Sequence, residues 1–315
     1  MRQGTDNRAI QDIAVRIEGL TRTFGDFVAV DHIDLTVGKG EIYGFLGPNG
    51  AGKSTTIRML CGLLVPSGGR GAVGGYDIVT QSEAIKKNIG YMSQRFSLYE
   101  DLSVEENINF FSGIYNVAAA RKDSRKRWVL EMAGLSQMRD CITRTLPGGY
   151  KQRLALGCAI LHEPPILFLD EPTSGVDPVS RRGFWNLIYE MSKSGTTVFV
   201  TTHYMDEADY CDRLALLYNG TIIAEGTPNE LRRKHMAGEV VEIEAEHVVQ
   251  AMEALDQQGI ETAIFGSLLH ATVEDATRAA PLIRKALEDA SLAVQRIEKI
   301  APSLEDVFVS MIGKS

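Results

Sequence analysis

The stretch GPNGAGKST, residues 47–55, decides how the first part of this chain folds. It fits the phosphate-binding loop pattern G-x-x-x-x-G-K-[ST], whose defining positions are occupied by Gly47, Gly52, Lys53 and Ser54. The apolar residues 41–46 predict a buried strand before the loop, and residues 55–64 predict a helix after it. Such a strand, turn and helix N-terminus direct backbone N–H groups and the helix dipole at phosphate oxygens. We therefore expect Lys53 to reach nucleotide phosphates and the Ser54 hydroxyl to bind Mg²⁺.

Length and composition restrict the remaining possibilities. A chain of 315 residues predicts about two domains of roughly 150 residues each. No stretch approaches the ~20 uncharged apolar residues of a membrane span, and the polar start of the chain does not resemble a secretory leader. The cysteines lack CxxC spacing, which argues against a metal site or a disulfide framework. We expect a cytosolic protein without a membrane anchor of its own.

The charge balance changes abruptly near residue 238. Residues 239–315 carry 14 acidic and 6 basic side chains, whereas the rest of the chain carries 27 of each sign. Such a step in composition is typical of a domain boundary. We place the first domain at 12–236 and the second at 239–315. The acidic excess of the second domain argues against nucleic-acid binding.

Strand and helix patterns alternate in the first domain. The strand-like runs are 13–18, 27–37, 41–46, 166–169, 196–202, 213–218 and 221–225, and the helical runs are 103–111, 125–133, 150–161, 178–192 and 205–211. Alternation of this kind, with a phosphate loop after a strand, predicts an α/β domain with a mostly parallel core sheet.

Local signals refine this prediction. Ser103 with Glu106, and Thr227 with Glu230, fit the capping box that begins a helix. The glycine-rich residues 68–75 contain a G-x-G-x-x-G match to a dinucleotide-binding fingerprint. No strand leads directly into them and no helix follows, so we interpret them as turns between strands.

The second domain has a different element order. Strand, helix, hairpin, helix and strand patterns follow one another from residue 240 to residue 300. This βαββαβ order predicts a small α+β ferredoxin-like sandwich, closed by a last helix that Ser303 would cap.

A second acidic motif follows the predicted strand 166–169. Asp170 and Glu171 come directly after it and precede Pro172. A carboxylate at the end of a buried strand can assist a Mg²⁺ ion beside phosphates, which is the role we expect for Asp170. Glu171, one residue later, is placed to polarise an attacking water.

Four further segments identify a family. LPGGYKQR, residues 146–153, resembles the LSGGQ signature of ATP-binding-cassette (ABC) ATPases. Gln94 is similar to their glutamine loop, SGVD at 174–177 to their D-loop, and His203 to their switch histidine. The resemblance covers roughly residues 12–235 with all motifs in family order.

The resemblance implies a set of site residues with family roles. Phe24 corresponds to the aromatic residue that stacks on adenine. The remaining nucleotide-binding positions are Gly47, Asn49, Gly50, Gly52, Lys53, Ser54, Thr55, Gly148, Gly149 and Asp177. Ser54, Gln94 and Asp170 correspond to Mg²⁺ contacts. Glu171 corresponds to the general base, while Gln94 contacts the water and His203 donates to the γ-phosphate.

The resemblance also implies partners. ABC ATPases work as head-to-tail dimers in which the signature helix of one subunit covers the ATP held by the other; a homodimer or a heterodimer would fit. Gln94, with the apolar residues Phe96, Leu98 and Tyr99, would relay nucleotide state to an integral-membrane permease, which would hold the protein at the inner face of the cell membrane. The acidic tail resembles the accessory C-terminal domain of bacterial drug, lipid or polysaccharide exporters, which favours export over import.

One departure from the family pattern stands out. Pro147 replaces the signature serine and Tyr150 the usual glutamine. The lost hydrogen bond to a charged phosphate is worth about 1.5–3 kcal/mol, so we expect slower hydrolysis rather than none.

Two alternatives remain: a soluble ABC ATPase acting on ribosomes or DNA, and a regulatory cassette with low turnover. The first usually needs a second cassette or a coiled-coil insertion, and neither pattern is found in the sequence.

Overall fold

The computed structural model describes residues 12–94, 97–236 and 238–312. Phe96, which we expected to form part of an apolar rim, lies outside these ranges. The chain divides into two compact units, the first ending at Glu225 and the second beginning at Gly226. The change in charge balance near residue 238 lies about a dozen residues after this division. The domain limits 12–236 and 239–315 therefore stay a prediction.

The elements of the first unit are defined by their residue ranges. The strands are β1 (Ile13–Phe24), β2 (Phe27–Gly38), β3 (Ile42–Leu46), β4 (Gly68–Val73), β5 (Tyr76–Asp77), β6 (Ile89–Met92), β7 (Ile166–Asp170), β8 (Thr197–Thr202), β9 (Arg213–Tyr218) and β10 (Thr221–Gly226). The helices are α1 (Lys53–Leu60), α2 (Ser82–Asn88), α3 (Val104–Ile114), α4 (Ala119–Met132), α5 (Gly148–Ala159) and α6 (Pro178–Lys193), with short 3-10 turns at Ser136–Met138, Thr143–Thr145 and Met205–Tyr210.

A six-stranded sheet positions the phosphate-binding loop. Its strand order is β10-β9-β3-β8-β7-β6, and the pairs from β9 to β6 are parallel. Every residue of β3, β7 and β8 is buried, as expected for strands covered on both faces. The predicted parallel core sheet is confirmed. Parallel strands end at a common edge, where α/β proteins place their ligands, so the loops after these three strands meet there.

The glycine-rich stretch forms a strand, and our interpretation of it as turns was wrong for residues 68–73. Strand β4 pairs with β1 in a second, antiparallel sheet of order β2-β1-β4-β5. A Cβ atom on Gly69 would lie 2.2 Å from the Gly19 carbonyl oxygen, and one on Gly71 would lie 2.7 Å from Ile17 Cγ2. Glycine is therefore required by the close approach of β4 to β1, and the turn is confined to residues 74–75.

Helices α3, α4 and α5 form a separate helical layer with its own core. Its buried residues include Val104, Ile108, Val129 and Leu154. The predicted capping box of α3 is confirmed, because Ser103 Oγ accepts from the Glu106 N–H at 3.2 Å and Glu106 Oε2 accepts from the Ser103 N–H at 2.8 Å.

The second unit contains a four-stranded antiparallel sheet. Its elements are α7 (Pro228–His235), β11 (Glu239–Ala245), α8 (Val248–Asp256), β12 (Thr262–Phe265), β13 (Leu268–Val273), α9 (Ala276–Asp289), β14 (Val294–Ile300) and α10 (Leu304–Ile312). The strand order β12-β13-β11-β14 is that of a ferredoxin-like sandwich, which confirms the prediction. The Ser303 cap is confirmed too, since Ser303 Oγ accepts from the Asp306 N–H at 3.1 Å.

Candidate nucleotide-binding site

The phosphate-binding loop adopts a shape that only glycine permits. Gly52 precedes α1 with φ = 101°, in the left-handed region, and a Cβ atom there would lie 2.5 Å from the Ala29 carbonyl oxygen. A Cβ atom on Gly47 would lie 2.3 Å from the Leu217 carbonyl oxygen. The loop thus passes so close to neighbouring backbone that larger residues would displace it.

Lys53 is a buried cation held by the loop that it belongs to. Its Nζ donates to the Gly47 carbonyl oxygen at 2.7 Å and to the Pro48 carbonyl oxygen at 3.0 Å. The same atom lies 3.2 Å from Glu171 Oε1, and only 4% of the Lys53 side chain is exposed. A buried charge requires partners of this kind, and they hold the ammonium group at the start of α1.

Asp170 ends β7 beside the loop, and two hydroxyl groups donate to the same carboxylate oxygen. Ser54 Oγ lies 2.9 Å and Thr201 Oγ1 lies 2.7 Å from Asp170 Oδ1. Burial raises the pKa of the Asp170 carboxyl, and the two hydroxyl donors oppose that shift. The arrangement brings a hydroxyl and a carboxylate together, the oxygen ligands that Mg²⁺ prefers.

Glu171 connects three predicted site residues. Oε1 pairs with Lys53, while Oε2 accepts from Gln94 Nε2 at 3.0 Å and lies 3.2 Å from His203 Nδ1. Its φ of 46° is in the left-handed region, uncommon for a residue other than glycine. Thr201 fixes this conformation, because its Oγ1 and carbonyl oxygen both accept from the Glu171 N–H, at 2.9 and 3.1 Å.

These side chains border an open cleft of ≈ 340 Å³. It is lined by nine of the predicted site residues, which are Phe24, Asn49, Gly50, Gly52, Lys53, Ser54, Thr55, Gln94 and Glu171. Three further predicted residues contact the lining without being part of it. Gly47 accepts from Lys53, Asp170 accepts from Ser54, and His203 lies beside Glu171. Phe24 is 47% exposed at the border of the cleft.

The signature and D-loop residues do not line this cleft. Gly149 lies at the start of α5 against α6, where a Cβ atom would be 2.4 Å from Ser180 Oγ. Asp177 caps α6 by accepting from the N–H groups of Val179 and Ser180, bonds that lower the pKa of its carboxyl. Gly148 begins α5, with open space around it.

Pro147 lies immediately before the first residue of α5. A proline is favourable at the first helical residue, but α5 begins at Gly148 and Pro147 is the N-cap. No side-chain hydrogen bond caps the helix. The Pro147 carbonyl oxygen accepts from the N–H groups of Tyr150 and Lys151, but the proline side chain offers the first turn no further acceptor.

Sequence reasoning missed three residues around the cleft. Phe27 lines it and is 62% exposed. The Arg22 guanidinium carbon lies 4.5 Å from the centroid of the Phe24 ring. Thr201 holds both carboxylate residues, as described above. The spacing Arg22-x-Phe24 at the end of β1, with Phe27 at the start of β2, was the signal available for the first two, whereas the role of Thr201 depends on parallel pairing of β7 with β8.

The fold and this cleft define a P-loop nucleotide-binding protein. The family model for ABC transporter matches residues 30–174, and the model for the ATP-binding protein DrrA1-3-like C-terminal domain matches residues 226–312. A model described as AAA domain, putative AbiEii toxin, Type IV TA system, matches residues 151–205 and overlaps the end of the first match.

Relatives extend the match over nearly the whole chain. Daunorubicin resistance ATP-binding protein DrrA3 of Streptomyces coeruleorubidus is 35% identical over 306 residues, which is 96% of this chain and 96% of the relative. The probable multidrug ABC transporter ATP-binding protein YbhF of Escherichia coli (strain K12) is 52% identical over 221 residues, 70% of this chain. That match spans 38% of the length of YbhF. The chain therefore belongs to the family of ABC transporter ATP-binding proteins.

Solved structures agree with this assignment. A dimeric structure of a post-hydrolysis state of the ATP-binding cassette MJ0796 bound to ADP and Pi superimposes with a TM-score of 0.62 and 26% identity, covering 68% of this chain and 98% of that one. Among the residues with assigned positions, no helix is both long and apolar enough to cross a membrane.

Proposed function

We propose that this chain is the ATP-binding and ATP-hydrolysing subunit of a bacterial exporter, and that it energises a separate membrane permease by nucleotide-driven dimer closure. One observation carries the proposal: Glu171 is held at the border of the cleft by Lys53, Gln94 and His203, within 3.2 Å of each. A carboxylate in this place serves hydrolysis rather than binding alone.

The loop supplies the binding energy for the phosphates. Gly50, Gly52, Ser54 and Thr55 line the cleft around the N-terminal end of α1, and Lys53 adds a full positive charge. Ser54 and Asp170, with Gln94, would hold Mg²⁺. The ion, when bound, supplies positive charge that neutralises the phosphate oxygens during transfer.

The carboxylate cluster supplies the chemistry. Glu171 accepts the proton of the attacking water. Gln94, which donates to the Glu171 carboxylate, orients that water. His203 lies on the other side of the same carboxylate oxygen and donates to the γ-phosphate. Glu171 therefore sets the relative positions of both neighbours before a nucleotide arrives.

The signature residues suggest that a second subunit completes the site. Gly148, Gly149 and Asp177 do not line the cleft of their own chain, yet Gly148 is exposed at the start of α5, with open space around it. A head-to-tail dimer would place them on the nucleotide of the partner subunit, and the dimeric form of the MJ0796 cassette supports this arrangement. A nucleotide that binds the closed dimer more tightly than the open one drives closure.

Export is supported by the relatives and by the second unit. The names of the two relatives describe a probable multidrug transporter protein and a daunorubicin resistance protein. The second unit matches the C-terminal domain model of the same resistance family. We infer that the protein acts at the inner face of the bacterial membrane through its permease.

Replacing Glu171 with Gln tests the proposal. The variant keeps the phosphate cradle but removes the proton acceptor, so we expect ATP binding, a stable ATP-bound dimer and strongly reduced hydrolysis. Light scattering with and without Mg-ATP measures the dimer, and phosphate release measures turnover. The matched control, Glu190→Gln, removes a carboxylate from α6, away from the cleft. Normal hydrolysis by a monomeric Glu171→Gln variant would refute the assigned role.

Co-expression with a candidate permease tests the transport step and separates the alternatives. An exporter ATPase co-purifies with its permease from membranes, and transported substrates stimulate its hydrolysis. A regulatory cassette would bind ATP without turnover in the same complex. A soluble ABC ATPase would leave the membrane fraction.

A further inference from the structure

The segment after His203 contains a buried carboxylate that the proposed chemistry does not use. Glu207, in the 3-10 turn Met205–Tyr210, is 0% exposed. Neither of its carboxylate oxygens has a hydrogen-bond partner within the described ranges. A carboxylate without a partner is strongly disfavoured in the interior. Its counter-charge is Arg181 of α6, whose Nε lies 3.6 Å from Glu207 Oε1.

Arg181 contacts the same segment at two further residues. Its guanidinium carbon lies 4.0 Å from the centroid of the Tyr204 ring, which is a cation–π geometry. Its Nη1 lies 3.6 Å from Asp206 Oδ2. One side chain therefore fixes three residues within four positions of the chain, directly after the predicted switch histidine.

The contacts continue from Tyr204 to the catalytic cluster. The rings of Tyr204 and His203 have their centroids 4.2 Å apart with an interplanar angle of 38°. His203 Nδ1 in turn lies 3.2 Å from Glu171 Oε2. An unbroken series of contacts thus joins Arg181 to the carboxylate that would accept the proton.

We propose that Arg181 is a positioning residue for His203: its charge keeps Glu207 buried, and its guanidinium face supports the Tyr204 ring against which the His203 imidazole lies. The inference rests on the proposed ATPase function. Its two parts are separable, because the pairing with Glu207 stabilises the fold, whereas the support of Tyr204 orients His203. Small misplacements of a reacting group lower rates by about 10²-fold.

The test separates these parts with two variants of the full-length protein. Arg181→Met alone leaves the Glu207 charge unpaired and should lower the thermal midpoint. The double variant Arg181→Met/Glu207→Gln removes both charges and should recover stability. We expect its kcat for ATP to remain at least about tenfold below the parent while its affinity for a fluorescent ATP analogue stays within about twofold.

Matched controls complete the design. Arg182→Met removes a neighbouring, exposed arginine of the same helix and should leave stability and kcat unchanged. Tyr204→Phe keeps the aromatic ring and should keep the parent rate, whereas Tyr204→Leu should lower kcat without weakening nucleotide binding. This pair decides the question even where the Arg181 variants do not fold.

Two results would overturn the inference. The first is a double variant that regains both stability and the parent kcat, which would make Arg181 a folding residue only. The second is a Tyr204→Leu variant with the parent kcat. A parent protein without ATPase activity would instead refute the proposed function, and this inference with it.

Discussion

Replacing Pro147 with serine tests whether the unusual signature limits turnover. Pro147 caps α5 with φ = −57° and ψ = 151°, a backbone conformation that serine adopts without strain. The proline side chain offers neither donor nor acceptor. A serine hydroxyl offers both, so its oxygen can accept from the helix N–H groups while its proton is donated to a phosphate of the partner's nucleotide.

The expected magnitude follows from these two uses. Capping a helix with serine instead of alanine stabilises it by about 0.5–2 kcal/mol, and α5 begins with two glycines, which are poor helix formers. A hydrogen bond to a charged group contributes about 1.5–3 kcal/mol. If half of that is available only in the transition state, hydrolysis should rise about four- to tenfold, since a tenfold change is the equivalent of ~1.4 kcal/mol.

Phosphate release at saturating Mg-ATP, at an equal dimer fraction, measures the effect. Pro147→Ala is the matched control, because it removes the ring without adding a hydroxyl. A serine variant that hydrolyses ATP within about twofold of the alanine variant would refute the reasoning and show that the N–H groups of Gly148 and Gly149 suffice. A fall in both variants would show that proline holds the signature loop in its productive shape.

Three further predictions concern the loop, the buried hydroxyl and the domain boundary. Gly52→Ala should weaken nucleotide affinity at least about tenfold in a fluorescence titration, since its Cβ meets the Ala29 carbonyl; Gly50→Ala, with open space around it, should be milder. Thr201→Val should lower the free energy of unfolding in urea by about 1–3 kcal/mol, because the Asp170 carboxylate and the Glu171 N–H each lose a buried partner. An unchanged urea midpoint would contradict this prediction. A chain ending at Glu225 should bind ATP and remain soluble, whereas one ending at residue 237 should aggregate more, since it retains α7 without α10, on which α7 packs.

Sequence patterns predicted the parts of the fold that depend on local signals. The phosphate-binding loop, both capping boxes and the order of elements in the second unit are read from residues close together in the chain. The misses depend on contacts between distant residues. Strand β4 is glycine-rich because it lies close to β1, and no local rule favours glycine in a strand.

The candidate site shows the same division. Lys53, Ser54 and Glu171 follow from motifs, but Thr201 carries no motif and acts because β8 lies beside β7. The N-cap position of Pro147 also escaped prediction, since helix ends are fixed by hydrogen bonds that composition does not reveal.

The left-handed backbone of Glu171 has a consequence for protein engineering. Glycine and asparagine adopt this conformation more readily than glutamate does, so the residue proposed as proton acceptor is a poor local fit to its own backbone. Replacing Glu171 with either residue would relieve the backbone, but it would also leave the buried Lys53 ammonium group without its carboxylate partner. Two opposing contributions to stability therefore meet at a single residue, and a thermostabilised version of this protein has to keep the Glu171–Lys53 pair and gain its stability elsewhere in the chain.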